Sequence, residues 1–516
     1  MMKDNCTRRD FLMALEPRTG SSATTDPLDL TMINTRWTRR NFLKAIGLGA
    51  AALSVPAIKV FGAGKSKPNI LFIFADDQCF ETLHALGCDE IQTPNLDRLV
   101  KHGVTFTHAY NQGAWHGAVC VASRTMLNTG RFLWIARDLE PNLKQETAAG
   151  RFWSQYMKRA GYETYMSGKW HVKDIDPEDI FDHVKDVRPG MPNQTEEGYN
   201  RPVEGQPDPW KPWDKERGGY WKGGKHWSEV LGDNAEEFLD NASKSEKPFF
   251  MYLAFNAPHD PRQSPKRYVD KYPLENVKVP ANFMPEYPYK DSIGCGENLR
   301  DERLAPFPRT KYAVKVNRRE YYAIITHMDA QVGRILDALE KTGKADNTYI
   351  FFTADNGLAI GHHGLMGKQN MYDHSIRIPL IVTGPDIPKN KRMDVPVYLQ
   401  DIMPSALDLA GIEKPKHVQF KSLMPLITGV AKSNYDAIYG GYIDLQRMVF
   451  ADGYKMIYYL KIDKTLLYNL KTDPLEMENL ADDPASAGLI KRLKARLKEL
   501  QKQVGDTLDL DNPSKS

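Results

Sequence analysis

Cysteine is scarce in this sequence: five residues in 516, at positions 6, 79, 88, 120 and 295. Their spacing matches no zinc pattern and forms no dense disulfide framework. A Cys79–Cys88 bridge is the one pairing worth naming, and nothing else in the sequence supports it. Buried free thiols are the plainer expectation for every cysteine except Cys120. Long apolar runs are also missing. The run from Ala45 to Ile58 is about 14 residues, short of the roughly 20 that span a bilayer, and no later segment is apolar enough to cross one. Internal repeats are absent. So is a strong charge of either sign. The net charge is +3; residues 1–64 hold nine Lys or Arg against five acids, which leaves −1 for the remainder. That balance argues against nucleic-acid binding as the main business.

What is present suits a globular enzyme. Hydrophobic residues make up 41% of the chain, enough for a sizeable core. The length allows one large domain, or a large one with a small companion. The N-terminus reads as an export signal. Thr38-Arg39-Arg40-Asn41-Phe42-Leu43-Lys44 is a twin-arginine pattern, and the Ala45–Ile58 run follows it. A cleaved signal is expected rather than an anchor, with the break near Ala63 and the mature protein periplasmic or secreted. Arg8-Arg9-Asp10-Phe11-Leu12 imitates this pattern without an apolar run behind it. Met32, just ahead of the complete signal, is therefore read as the true start.

After residue 64, strands and helices alternate. Asn69 to Phe74 is a continuous apolar run of the kind a buried parallel strand shows. Pro94 to Gly103 has helical spacing, with Thr93 as N-cap and Gly103 as the stop. Helix 151–159, strand 162–166, strand 248–255, helix 321–341 and strand 348–353 follow. The expected fold is an α/β sandwich around a mostly parallel sheet. Past about residue 430 the pattern changes to short strands near 436–442, 447–451, 454–460 and 465–469, closed by a helix near 486–503. The division expected is a leader over 1–64, a catalytic domain over 65–430 and a smaller antiparallel subdomain over 431–516. Residues 186–227 are irregular and aromatic, with Trp210, Trp213, Tyr220, Trp221 and Trp227. These rings either stack on sugar faces or pack the segment onto its own domain.

Several motifs fall just after the expected strands. Asp76-Asp77 follow the first, and Asp355-Asn356-Gly357 follow strand 348–353. Carboxylates at the C-terminal ends of parallel strands point into the ligand crevice. Either pair alone reads as a turn or a helix cap. Together they make an oxygen-rich site suited to a hard cation. Gly168-Lys169-Trp170-His171 follows strand 162–166. Ala257-Pro258-His259 follows strand 248–255, and Gly364-Leu365-Met366-Gly367-Lys368 comes after the second acidic pair. His116, His362, His363, Asp373, His374 and Arg377 lie near these motifs and are candidates for shaping a substrate pocket; of these, His116, His363, His374 and Arg377 are carried forward as substrate-binding candidates.

The run Cys120-Val121-Ala122-Ser123-Arg124-Thr125-Met126-Leu127-Asn128-Thr129-Gly130-Arg131 resembles the sulfatase signature: a cysteine, any residue, Pro or Ala, any residue, Arg, and a downstream Thr-Gly-Arg. A Cys-x-x-x-Arg match alone is weak, whereas the twelve-residue run is specific. The resemblance extends over roughly residues 68–480 and takes in the motifs above, Thr93 to Leu99, Leu467 to Leu470 and Asp473-Pro474. It implies an alkaline-phosphatase-like fold and oxidation of Cys120 to formylglycine by a dedicated maturation enzyme. It also implies Ca2+, with Mg2+ the alternative, held by Asp76, Asp77, Asp355, Asn356 and the modified Cys120. In the implied mechanism one hydroxyl of the aldehyde hydrate attacks sulfur. Arg124, Lys169 and Lys368 neutralise charge, His259 with Lys368 protonates the leaving alcohol, and His171 takes the proton of the second hydroxyl as sulfate is expelled. The expected substrate is a sulfated carbohydrate. Aryl or choline sulfates, a phosphonate or phosphate monoester hydrolase of the same superfamily, and a non-catalytic binder of sulfated glycans are the alternatives.

Overall fold

The computed structural model describes residues 66–512. The leader, with its twin-arginine stretch, Met32 and Cys6, lies outside the described residues. Strand β1 (Asn69–Asp76) is buried along its whole length. It lies at the centre of a nine-stranded sheet, where helices cover both faces and an unbroken apolar run is the pattern required. The further strands are β2 (Val104–Tyr110), β3 (Gly113–Ala114), β4 (Glu163–Lys169), β5 (His183–Arg188), β6 (Phe249–Pro258), β7 (Thr348–Ala354), β8 (Arg377–Ile378), β9 (Leu380–Thr383) and β10 (Lys391–Tyr398). The order in the large sheet is β8-β2-β9-β7-β1-β6-β4-β5, with β10 also paired to β2. β7, β1, β6, β4 and β5 run parallel to one another, whereas β9 is antiparallel to both β7 and β2. The expected mostly parallel sheet is therefore present, with an antiparallel element inserted at one side.

Two helix starts differ in detail from those expected. Thr93 occupies the N-cap of the helix Pro94–His102, as expected, but its side chain makes no capping bond. Its hydroxyl donates to Asp97 instead (3.0 Å). The exposed N–H groups of Asn95 and Leu96 are satisfied from a distance by the carboxylate of Asp329, at 3.1 and 2.7 Å. The long helix expected from 321 begins ten residues earlier, spans Lys311–Lys341, and is capped by the Thr310 hydroxyl accepting from Ala313 N (3.0 Å). Its first turns carry charges that suggest a surface loop. Arg318 and Glu320 are nevertheless buried there, and Glu320 forms an ion pair with Arg201.

The smaller sheet comprises β11 (Ile438–Tyr442), β12 (Gln446–Ala451), β13 (Tyr454–Tyr459) and β14 (Lys464–Asn469), covered by helix Ala487–Val504. The four strands are antiparallel neighbours, as the turn spacing indicates. β3 adds to β11 in parallel, so a strand from just ahead of Cys120 belongs to this second sheet. Lys455 on β13 is buried between Asp373 (2.5 Å) and Glu476 (2.7 Å), which ties the two parts together. Cys79, Cys88, Cys120 and Cys295 are free thiols. In the aromatic segment the rings turn inward. Trp210, Tyr220 and Trp221 are buried, and Lys266 and Arg188 lie over Trp213 and Trp227. The packing reading of these rings is the one the structure supports.

Candidate active site

The parallel part of the sheet brings distant motifs to one edge. β1 ends at Asp76, β7 leads into Asp355, β4 ends at Lys169, and β6 leads into His259. Because these four strands are parallel, all four C-terminal ends lie on the same side, where an open α/β sheet binds ligands. Cys120 arrives from the first turn of a fully buried helix, Val119–Thr129. All its residues are buried, the polar Ser123, Arg124, Thr125, Asn128 and Thr129 included, which places residue 120 deep in the crevice. Asp77 sits in the left-handed region at φ 66, a conformation that Asp tolerates better than most residues. The Tyr321 hydroxyl holds that turn by donating to the Asp77 carbonyl (2.6 Å).

The side chains converge closely. Ligand atoms of Asp76, Asp77, Cys120 and Asp355 all lie within 4.8 Å of one another. Cys120 Sγ is 3.4 Å from Asp76 Oδ1, 3.6 Å from Asp77 Oδ1 and 3.2 Å from Lys368 Nζ. Lys169 Nζ donates to Asp76 Oδ2 (2.5 Å), and Lys368 Nζ donates to both oxygens of Asp77 (2.7 and 2.5 Å). Arg124 donates from Nε to Asp355 Oδ2 (2.9 Å) and from Nη1 to the Lys169 carbonyl (2.7 Å). His259 Nε2 is 3.5 Å from Asp77 Oδ2. His171 packs against Gly190, where a Cβ would fall 2.1 Å from its Nε2.

Crowding charges in a dry site separates their titrations. Burial first, then the neighbouring Asp355, pushes the Asp76 carboxyl up to about 6. For Asp355 burial acts in the same direction, but Arg124, Lys169 and Lys368 outweigh it and hold the group well below the usual carboxylate range. Burial, reinforced by Lys169 and Arg124, drives His171 down to about 2, so its ring is neutral at any ordinary pH. His259 goes the other way. Burial and Lys368 disfavour its cation, yet Asp260, Asp77 and Asp76 prevail and raise it. Burial lifts the Cys120 thiol well above its ordinary value, which makes an unmodified thiolate nucleophile implausible.

The donor set fits a divalent hard cation. Three carboxylates converge on one space, and such ions take oxygen ligands almost exclusively. The amide of Asn356 borders the same space. Its Nδ2 lies 3.7 Å from Cys120 Sγ, and its Oδ1 accepts from Asn111 Nδ2 (2.6 Å). To serve as a ligand it would present the other end of the amide, which keeps its bond to Asn111 only if the Asn111 and Gln400 amides turn over with it.

All ten residues read as catalytic or metal-binding (Asp76, Asp77, Cys120, Arg124, Lys169, His171, His259, Asp355, Asn356 and Lys368) meet at this edge. The candidate substrate residues do not join the cluster through hydrogen bonds. His116 is half-exposed beside Glu140. His363 stacks on Tyr372 and reaches the Glu476 carbonyl (3.0 Å). His374 contacts Ser375 (2.8 Å), while Arg377 donates to the Thr107 carbonyl (2.6 Å). His362, Asp373, His374 and Arg377, with Phe80, Glu81 and Glu476, line a cavity of about 60 Å³. Sequence reasoning missed Asn111 and Ser123, whose hydroxyl donates to the Asp355 carbonyl (3.0 Å). It also missed Asp260, although that residue directly follows His259.

Comparison with known proteins agrees with this geometry. A family model described as Sulfatase matches residues 68–412, and one described as N-sulphoglucosamine sulphohydrolase, C-terminal, matches 361–503. The N-acetylglucosamine-6-O-sulfatase of Bacteroides thetaiotaomicron is 27% identical over 433 residues, covering 72% of this chain and 72% of that protein. A structure solved in complex with its substrate D-glucosamine-2-N,6-O-disulfate aligns with a TM-score of 0.67 and 26% identity, over 86% of this chain and 99% of that one. The phosphonate monoester hydrolase of Agrobacterium radiobacter, 20% identical with a TM-score of 0.65 over 85% and 96%, shares the fold.

Proposed function

Since this chain belongs to the sulfatase family and is a sulfuric ester hydrolase, we propose that it acts on a sulfated carbohydrate through formylglycine made from Cys120 and seated on Ca2+. One observation carries the mechanism: Cys120 Sγ sits inside a buried three-carboxylate cluster, 3.4 Å from Asp76 and 3.2 Å from Lys368. The sulfated glucosamine bound by the structural relative supports the carbohydrate.

When present, the aldehyde hydrate supplies a hydroxyl nucleophile, and the divalent ion lowers that hydroxyl's pKa and neutralises sulfuryl oxygens. The remaining duties fall to side chains. Asp76, Asp77, Asp355 and Asn356 would hold the ion. The three carboxylates face three cationic groups, Arg124, Lys169 and Lys368. A divalent ion therefore leaves the cluster positive, as an anionic ester requires. Lys169 and Lys368 meet the sulfuryl oxygens. Arg124, engaged with Asp355 and the Lys169 carbonyl, fixes the ligands rather than the substrate. His259 donates a proton from Nε2 to the departing alcohol oxygen, with Lys368 beside it. His171, neutral, accepts the proton of the second hydroxyl at position 120.

The test is sulfate release from a panel of defined sulfated sugars by matured enzyme, run beside aryl and choline sulfates and a phosphonate monoester. Turnover of at least one sulfated sugar well above the others is expected. Better turnover of the phosphonate would contradict the proposal, and a preference for choline or aryl sulfate would contradict its carbohydrate part.

The fit of His171 against Gly190 makes a sharper prediction. Gly190→Ala is expected to displace the imidazole and lower kcat on the order of 10²-fold, the usual worth of a positioned acid or base. In a His171→Ala background the same change should cost little more, because interacting sites are not additive. Full activity in Gly190→Ala would remove His171 from the mechanism.

Export is proposed on the twin-arginine stretch Thr38–Lys44 alone. That route carries folded proteins, so the maturation enzyme would act on Cys120 in the cytoplasm. Replacing Arg39 and Arg40 together by lysine is expected to leave active enzyme inside the cell; unchanged export, followed by fractionation, would refute this.

A further inference from the structure

His259 does not hang freely beside Asp77. Its Nδ1 lies 3.0 Å from Asp260 Oδ1 and 2.9 Å from the Asp260 carbonyl oxygen. Both partners are acceptors, so Nδ1 must carry a hydrogen, and Nε2 is the atom left to face Asp77. Asp260 is itself buried, and its second oxygen accepts from Arg300 Nη1 (2.5 Å). The other terminal nitrogen of Arg300 pairs with Asp301. Asp301 Oδ2 accepts from Gln369 Nε2 (2.7 Å), and Gln369 Oε1 accepts from the backbone N–H of Lys368 (3.0 Å). An unbroken chain of donors and acceptors thus runs from the ring of His259 to the residue that carries the other leaving-group donor. The metal ligands take no part in it.

We propose that Asp260 and Arg300 are positioning residues for the leaving-group step: Asp260 fixes the His259 ring with Nδ1 protonated and Nε2 turned to the site, and Arg300 locks Asp260 in that pose. The inference rests on His259 acting as the proton donor proposed above. In the step itself, the deprotonated hydroxyl oxygen at position 120 would bond to sulfur as the bond between sulfur and the alcohol oxygen breaks; that electron pair goes to the alcohol oxygen, and the Nε2 proton of the His259 cation follows. The ring ends neutral, and Asp260 keeps its charge throughout, since an orienting carboxylate beside histidine holds the ring without taking the proton. Arg300 matters because an unclamped carboxylate could rotate and release the ring. Its guanidinium fork spans Asp260 and Asp301 at once, a geometry lysine could not reproduce.

A purely structural role would slow all substrates alike, whereas a role in protonation depends on how badly the leaving group needs the proton. The experiment compares kcat/KM for 4-nitrophenyl sulfate, whose phenolate leaves readily, with that for phenyl sulfate, whose phenolate does not, using full-length matured enzyme. Asp260→Asn is expected to lose on the order of 10²-fold on phenyl sulfate and less than about tenfold on 4-nitrophenyl sulfate. Arg300→Gln should shift the ratio the same way by a smaller factor. His259→Ala combined with Asp260→Asn should be no worse than His259→Ala alone. Equal losses on both esters, or none, would overturn the proposal. If Asp260→Asn fails to fold, Arg300→Gln carries the comparison. A second arm needs no turnover: in 15N-histidine spectra the Nδ1 proton of His259, assigned by its loss in His259→Asn, should appear strongly downfield and move upfield in either variant. A signal that does not move, or a ring protonated only on Nε2, would also overturn it. Failure of the unaltered enzyme to hydrolyse any sulfate ester would instead count against the reading of the reaction, and the spectra would still judge the placement of the ring.

Discussion

Replacing Cys120 by serine is expected to lower kcat on the order of 10⁴-fold or more, with the fold intact. The substitution is nearly isosteric, and residue 120 lies within a helix whose every residue is buried, so packing should hardly change. The chemistry changes fundamentally. Neither a thiol nor a serine hydroxyl carries a second hydroxyl on the same carbon. Such a side chain could accept the sulfuryl group, but it has no internal route for expelling sulfate afterwards. His171, proposed to take the proton of that second group, would have nothing to act on. The measurement is steady-state turnover of a sulfate ester alongside thermal unfolding. Near-normal turnover by Cys120→Ser would dismiss the formylglycine mechanism, whereas loss of turnover together with a collapsed melting temperature would show only that the helix had been damaged.

The second large effect is expected at Asp355. This carboxylate receives Arg124 Nε (2.9 Å) and the Asp77 backbone N–H (3.1 Å). The surrounding Arg124, Lys169 and Lys368 also hold it ionised against its burial. Asp355→Ala removes a ligand and leaves a fully buried guanidinium without its partner, a change worth about 3–5 kcal/mol of stability for a broken buried pair. Bound divalent ion should fall well below one per chain, and kcat/KM should fall on the order of 10³-fold. Dialysis of the unaltered enzyme against a chelator should reproduce the activity loss without the stability loss attributed to Arg124, and Ca2+ should reverse it. Metal content measured on both preparations checks the account. Full activity after exhaustive chelation would mean that the carboxylate cluster serves some other purpose.

Much of this site was legible in the sequence, for a specific reason. Parallel strands buried on both faces announce themselves as apolar runs, and the direction of the chain then says which end of each carries the chemistry. Asp76 and Asp355 were placed in that way, whereas Lys169 and His259 stood out because their motifs follow such strands in the order the family resemblance implies, and Cys120 by its motif. Features that depend on contact across the fold were harder to see. The Asp329 carboxylate lies more than two hundred residues from the helix N–H groups it satisfies, so the sequence showed the N-cap position at Thr93 but not the source of these bonds. The long helix began earlier than its apolar spacing implied, because Glu320 is buried against Arg201 and Arg318 against Tyr322 and His362 rather than solvated. Asn111 supports Asn356 only because β2 and β7 are brought near each other, each flanking β9. Asp260 was adjacent to a residue already chosen, yet adjacency in sequence does not say whether a carboxylate turns back toward its neighbour.

His363, His374 and Arg377, expected to shape a substrate pocket, stand apart from the cluster. They lie close to Lys368 in sequence, and their hydrogen bonds lead elsewhere, toward Glu476, Ser375 and the Thr107 carbonyl. Proximity to a motif is weak evidence of function when the intervening residues turn a corner. The aromatic rings of 186–227 were similarly ambiguous. Tyr220 resolves part of that question: its hydroxyl donates to the Asn256 carbonyl (2.6 Å) and lies 2.8 Å from that of His259. The segment thereby braces the turn that carries His259.

The most direct test is a crystal structure of the matured enzyme. Formylglycine should occupy position 120, with one of its oxygens on a divalent ion that Asp76, Asp77, Asp355 and the side-chain oxygen of Asn356 also bind. Active protein with an intact thiol at 120, or an ion held anywhere but among those four side chains, would contradict the account.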